Sequence, residues 1–249
     1  MLKPKNVFMK LFVKNIIKKF GFEIHRLRPI SDPNFQILQG LNKFRIDLIF
    51  DIGANTGQFA QGLRAAGYSK SIVSFEPLAD AHTQLCLNAQ TDKNWKVHDR
   101  GAIGDFNGEI QINVAANSMS SSLLPMLSAH SSAAPESTYI GSESAPIRTL
   151  DAVASYYISE SANLFVKVDT QGFEWQVLDG GSETLKNARG LMLELSLVPL
   201  YEGQRLWREI VDRLESAGFE LWAVHQGFTD QRDGRMLQVD AVFFRSNKY

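Results

Sequence analysis

The stretch LIFDIGANTGQFA, residues 48 to 60, restricts the fold more than any other part of this chain. Apolar residues lead into Asp51, then into a turn-prone run holding Gly53, Asn55 and Gly57, and a helix-forming segment follows. Glycine lets the backbone turn sharply and approach a ligand closely, and the first turn of a helix offers unpaired N–H groups. A strand that ends this way opens a β–α–β unit, and in open parallel sheets ligands sit beyond the carboxyl ends of the strands.

The alternation continues along the chain. Residues 71 to 75 read as a strand closing on Glu76 and Pro77, and 78 to 89 as a helix. Residues 95 to 103 are extended and 109 to 114 form another short strand. Residues 115 to 146, rich in Ser, Ala and Pro, read as a long loop with one helical turn. Helices follow over 150 to 157, 173 to 178 and 204 to 217, alternating with strands over 164 to 169 and 190 to 195. Strands over 219 to 225 and 237 to 245 close the chain as a hairpin-like pair that would add an antiparallel edge strand. Strands this continuously apolar are covered on both faces. At 249 residues, 44% of them hydrophobic, the chain suffices for one large α/β domain over 46 to 249, with 1 to 45 an N-terminal helix and connector.

That N-terminus is basic. Lys3, Lys5, Lys10, Lys14, Lys18, Lys19, Arg26 and Arg28 stand against Glu23. Phe8, Phe12, Ile16 and Phe20 recur at helical spacing, and Lys10, Lys14 and Lys18 fall on the opposite face. Lysine interrupts the apolar run too often for a membrane span or a signal peptide. Such a helix either packs its stripe on its own domain or lies on an anionic membrane surface, and both readings stand. The expected location is cytoplasmic, with or without peripheral contact at the inner face of the membrane. A formal net charge of -1 excludes a whole-surface nucleic-acid binder. Cys86, the one cysteine, cannot form an internal disulfide and reads as a small core residue of its helix. No pattern sets an oligomeric state.

Two cofactor classes compete for the first strand tip. A dinucleotide site wants G-x-G-x-x-G, but counting from Gly53 the next two glycine positions hold Asn55 and Gln58. Asp51 is also a poor neighbour for a pyrophosphate. It suits S-adenosylmethionine, which carries a sulfonium, an ammonium and a carboxylate but no phosphate. In that reading Asp51 faces the ammonium, directly or through water, and the loop of Gly53, Asn55 and Gly57 takes the carboxylate. Glu76, before Pro77, accepts the ribose hydroxyls, as an acid at the second strand tip does in nucleotide folds. Ala102 and Ile103 line the adenine. The plain alternative makes the glycines turn residues and Glu76 a helix-start acid.

The strand over 164 to 169 puts Lys167 and Asp169 on one side, by the period of two. Glu194 lies near the end of the next strand and Glu174 starts the intervening helix. A lysine inside a doubly covered strand must be paired, so Lys167 is expected to meet Asp169 or Glu194. Asp169 is the first choice for a general base, with Glu194 and Glu174 behind it; a structural ion network is the competing reading. No spacing demands a metal, and none is expected. Tyr201 and Glu202 read as an acceptor-side loop.

The segments FDIGANTGQFA, SFEPL, AIGD, SSSLL, KVDTQGFEWQVLDGG, LELSLVPLYEGQ and QVDAVFFR together resemble the FkbM family of S-adenosylmethionine-dependent methyltransferases, over residues 46 to 245. The resemblance implies a class I methyltransferase, Rossmann-like fold: seven mostly parallel strands, helices on both faces and an antiparallel last strand. It also implies methyl transfer to oxygen, commonly a hydroxyl of a sugar or polyketide, so the acceptor is a small molecule or glycan, sugar favoured. It raises Ser121, in the serine run, to a cofactor or acceptor contact. Two other readings remain: a catalytically silent cofactor-binding module, and a nicotinamide-dependent oxidoreductase, which the broken glycine pattern disfavours.

Overall fold

Strand segments that are apolar throughout need cover on both faces, and the chain supplies it by alternating them with helices. The computed structural model describes residues 4–22, 31–159 and 161–245, with side chains from residue 12 onward. In chain order these are α1 (Pro4–Lys19), α2 (Pro33–Lys43), β1 (Leu48–Ile52), α3 (Gln58–Ala66), β2 (Ser71–Phe75), α4 (Ala79–Ala89), β3 (Trp95–Val97), β4 (Ala102–Gly104), β5 (Gly108–Ala115), α5 (Ser128–Ala133), β6 (Tyr139–Thr149), α6 (Leu150–Ala154), β7 (Leu164–Val168), α7 (Glu174–Gly180), α8 (Ser182–Asn187), β8 (Gly190–Ser196), α9 (Trp207–Ser216), β9 (Glu220–Gln226) and β10 (Gln238–Phe244).

Seven strands form one sheet in the order β3-β2-β1-β7-β8-β10-β9. The strands from β3 to β8 pair in parallel, and β10 runs antiparallel to both β8 and β9. The fold is thus the class I methyltransferase arrangement that the resemblance implies. One face is packed by α6 to α9, through Leu150, Val177, Leu178, Ile210 and Leu214. The other is packed by α2, α3 and α4, through Ile37, Leu41, Leu63 and Leu85. A second sheet, ordered β4-β6-β5, stands beside the first.

Four details depart from the sequence reading. The antiparallel strand is not at the edge: β10 inserts between β8 and β9, leaving β9 outermost, with Leu221 and Val224 exposed. Its sequence VDAVFF is too apolar for a rim, and the sheet buries it on both sides. Residues 139 to 146, expected in a loop, belong to the central strand β6 of the small sheet. Pro146 fits within the strand because β4 pairs only with residues 147 to 149, so at Pro146 the strand has a partner on one side only. The extended run expected over 95 to 103 splits into β3 and β4, in different sheets. Cys86 is exposed on α4, because Ala81, Leu85 and Ala89 take the inward face instead.

The connector expected over 29 to 45 begins outside the described residues, but α2 within it packs on the sheet. Pro33 sits at its first turn and Asp32 caps it, accepting from Phe35 N at 3.1 Å. Ile37, Leu38 and Leu41 bury its inner face.

Candidate active site

Strand order reverses between β1 and β7, and a cavity of about 590 Å³ lies beyond the strand tips there. On the β1 and β2 side it is bordered by Gly53, Asn55, Glu76, Pro77, Ala102 and Ile103. On the β7, β8 and β10 side it is bordered by Lys167, Asp169, Gln171, Glu194, Gln238 and Asp240. Ser121 lies on its wall as well, its Oγ accepting from Ala115 N at 3.0 Å.

The first loop is built around Glu76. Its Oε2 accepts from Asn55 N at 2.8 Å and its Oε1 from Leu78 N at 2.9 Å. Burial raises its pKa to about 7, against the pull of these two N–H groups. Each oxygen keeps a further acceptor position toward the cavity it borders. Asn55 adopts the left-handed region at φ 48. Its Nδ2 donates to Ser118 Oγ at 3.2 Å, tying this loop to the serine segment. An acid at the second strand tip beside the apolar wall of Ala102 and Ile103 fits a ribose and a purine. The residues present therefore fit S-adenosylmethionine.

Both glycines are required by packing, and Gly53 also borders the cavity. A Cβ on Gly53 would stand 1.8 Å from Asp169 O, so β1 and the loop after β7 could not come together with any other residue there. Gly57, at φ 95, does not border the cavity; a Cβ there would press into the Trp95 ring at 2.6 Å.

Asp51 is the main correction. It is wholly buried and does not border the cavity, so it cannot face a cofactor's ammonium directly. The register explains this: Asp51 on β1 lies opposite Lys167 on β7. Lys167 Nζ donates to Gly53 O at 2.9 Å and stands 3.3 Å from both Asp51 Oδ1 and Asp169 Oδ2. Ser74 Oγ donates to Asp51 Oδ2 at 3.2 Å. The expected pair of Lys167 with Asp169 is present, Asp51 is the second partner, and Glu194 is not one. Burial alone would lower the Lys167 pKa, but Asp169 and Asp51 outweigh it and hold the ammonium charged. Burial pushes Asp51 up, with Lys167 pulling it back.

Glu174 also turns from the cavity. Its Oε1 accepts from Thr170 N at 3.0 Å, Gly172 N at 3.1 Å and Thr170 Oγ1 at 3.2 Å, so it clamps the loop after β7. Burial raises its pKa to about 7. Asp169 and Glu194 stay at the cavity, joined by Gln171: its Nε2 donates to Asp169 Oδ1 at 2.9 Å and to Glu194 Oε2 at 2.6 Å. Gln238 Nε2 donates to the same Glu194 oxygen at 2.7 Å. Asp240 sits opposite Glu194 in the β8–β10 register, and burial with Asp169 nearby raises it to about 7. Glu194 is raised well above the ordinary value by burial and by Asp169, Asp240 and Glu174. Among the described residues no group of three or more His, Cys, Asp or Glu is arranged to hold a metal ion.

Sequence reasoning missed Gln171, Gln238 and Asp240 as site residues. Gln238 and Asp240 carried a signal, since alternation in QVDAVFF puts both on one face of a strand. Gln171 carried none, because its reach to Glu194 depends on a left-handed backbone at φ 54.

The chain is similar to known proteins. The family model described as the Methyltransferase FkbM domain matches residues 51–221. The chain is 32% identical over 183 residues to the 2-O-methyltransferase NoeI of Sinorhizobium fredii, covering 71% of this chain and 73% of that one. Among solved structures it is similar to an rRNA methylase from Streptococcus thermophilus, at 11% identity and TM-score 0.46, covering 89% of this chain and 99% of that one. It is similar also to Aeropyrum pernix fibrillarin with bound S-adenosyl-L-methionine, at 10% identity and TM-score 0.45, covering 79% and 66%. The family match and the curated relative carry the conclusion that the chain belongs to the FkbM methyltransferase family and is an S-adenosylmethionine-dependent methyltransferase.

Proposed function

We propose that the enzyme methylates a hydroxyl oxygen of a sugar or other polyhydroxylated small molecule or glycan. The observation that carries this is the side of the cavity facing away from Glu76. It gathers Asp169, Glu194 and Asp240, held by the amides of Gln171 and Gln238, and the carboxylate oxygens keep acceptor positions suited to an acceptor's hydroxyls. The curated relative is named a 2-O-methyltransferase, which supports oxygen as the receiving atom.

In this reading Glu76 holds the ribose hydroxyls, Ala102 and Ile103 the adenine, and the loop at Gly53 and Asn55 the amino-acid end, with Pro77 and Ser121 on the wall. When bound, the cofactor supplies an electrophilic methyl group on its sulfonium. Asp169, on the loop next to Gly53, accepts the proton of the attacking hydroxyl. Lys167 fixes Asp169 and the Gly53 carbonyl in one frame, and Glu194 and Asp240 orient the acceptor. Holding the acceptor in line is the larger share of the rate gain, on the order of 7–11 kcal/mol in favourable cases. The test is transfer from methyl-labelled cofactor into a fractionated extract of source cells and into defined oligosaccharides. The expected product is an O-methyl sugar; label appearing on nitrogen or carbon, or in nucleic acid, overturns the reading.

A peripheral membrane location has an observation of its own. On α1 and just past it, Phe12, Ile16, Phe20 and Phe22 are exposed, together with Lys14, Lys18 and Lys19, instead of packing on the domain. Phe8 and Lys10 of the same pattern lie outside the described side chains. Among the described residues no helix is long and apolar enough to cross a membrane. An apolar stripe with lysines behind it suits an anionic lipid surface, each lysine adding about 1 kcal/mol. Vesicles containing phosphatidylserine should sediment the full chain, and Phe12→Ser with Phe20→Ser should release it with methyl transfer to soluble acceptors unchanged. Equal sedimentation of both proteins would end this reading.

A further inference from the structure

The loop after β7 carries a hydrogen-bond chain that the proposed reaction does not yet use. Tyr201 is fully buried, and its hydroxyl donates to Gln171 Oε1 at 2.8 Å. The same hydroxyl lies 3.3 Å from Ser120 O, and its shorter bond to Oε1 acts together with the two carboxylates to fix which way the Gln171 amide points. With Oε1 toward Tyr201, Nε2 donates to Asp169 and Glu194 together. Turned over, the amide would bring an oxygen against two carboxylate oxygens, an arrangement with no proton to share. The backbone is held to match. Ser122 Oγ donates to Gln171 O at 2.6 Å, and Gly172 lies so close to the Tyr201 ring that a Cβ would meet it at 3.0 Å. Gln171 itself stays at φ 54, a conformation that non-glycine residues keep only when surrounding contacts enforce it.

We propose that Tyr201 is a positioning residue for methyl transfer: by helping to orient the Gln171 amide it keeps Asp169 and Glu194 bridged in one hydrogen-bonded frame. This rests on the reading of Asp169 as base. The titratable groups around the bridge are Lys167 and Asp51 beside Asp169, Asp240 and Glu174 near Glu194, and Tyr139 and His130 beside Tyr201. Tyr201→Phe leaves all of them in place and removes the donor to Gln171 together with the longer contact to Ser120 O.

The experiment is a double-mutant cycle on the full chain, with kcat measured across pH. Tyr201→Phe should lower kcat about tenfold with the KM for S-adenosylmethionine unchanged. Two donors that favour the ionised carboxylates become loose, so the acid limb should move up by about one pH unit. In a Gln171→Leu background Tyr201→Phe should have no further effect, because its route is gone. An unmoved acid limb, a loss confined to KM, or losses that add in the double variant would each overturn the proposal. Should Tyr201→Phe fail to fold, Gln171→Leu alone must move the acid limb in the same direction, and an unmoved limb overturns it equally. Asp169→Asn in parallel separates the two ideas. If it stays active the base assignment fails; if it is inactive while the cycle is additive, only the role of Tyr201 fails.

Discussion

Lys167→Met should destabilise the protein by about 3–5 kcal/mol, the range for breaking a buried ion pair from one side. Methionine fills most of the lysine volume, so the loss is electrostatic rather than a cavity. Asp51 is wholly buried on β1, and its remaining partner is the Ser74 hydroxyl. Removing the ammonium leaves that carboxylate uncompensated or forces it to take a proton. Gly53 O loses its donor and Asp169 loses its anchor in the same step. Urea unfolding would measure this as a lowered midpoint at constant slope. Adding Asp51→Asn should recover part of the loss, since the uncompensated charge goes with it. A Lys167→Met protein as stable as wild type would mean that the buried acid is already neutral, and the account of the β1–β7 junction would have to be abandoned.

Asp169→Asn should lower kcat by about 10²–10⁴-fold while cofactor affinity stays near wild type. The amide keeps the shape of the side chain, and its nitrogen or oxygen can still meet Gln171 or Lys167, but it cannot take a proton from a hydroxyl. Of the three acids on the β7, β8 and β10 side of the cavity, Asp169 is the one that stands beside both the Gly53 loop, through its backbone contact with Gly53, and the ammonium of Lys167. Calorimetric titration with S-adenosylhomocysteine alongside single-turnover methyl transfer separates binding from chemistry. Activity within a few-fold of wild type would pass the base role to Glu194 or Asp240.

Much of this architecture was readable because burial writes itself into composition. The runs LIFDI, LFVKV and GLMLELS could only be strands covered on both faces, and the helices between them follow from the parallel pairing. The second-tip acid Glu76 and the apolar pair Ala102 and Ile103 fell where strand ends face a cavity. The small sheet was hidden because β6 is half polar, carries Pro146 and buries few of its side chains. Alternation is weak there, and pairing with β5 decides the conformation.

The sequence by itself determined the apolar strands of the large sheet, that a lysine lies inside one of them, and that acids cluster at the strand tips. Those properties are local, set by hydrophobic period and by the cost of burying charge. Only the tertiary structure decided which acid neutralises which cation. Asp51 and Lys167 are 116 positions apart, and only the pairing of β1 with β7 sets them side by side, turning an expected ligand contact into a buried ion pair. The same holds for Gln171, whose left-handed backbone and reach to Glu194 and Tyr201 exist only once three separate segments have met.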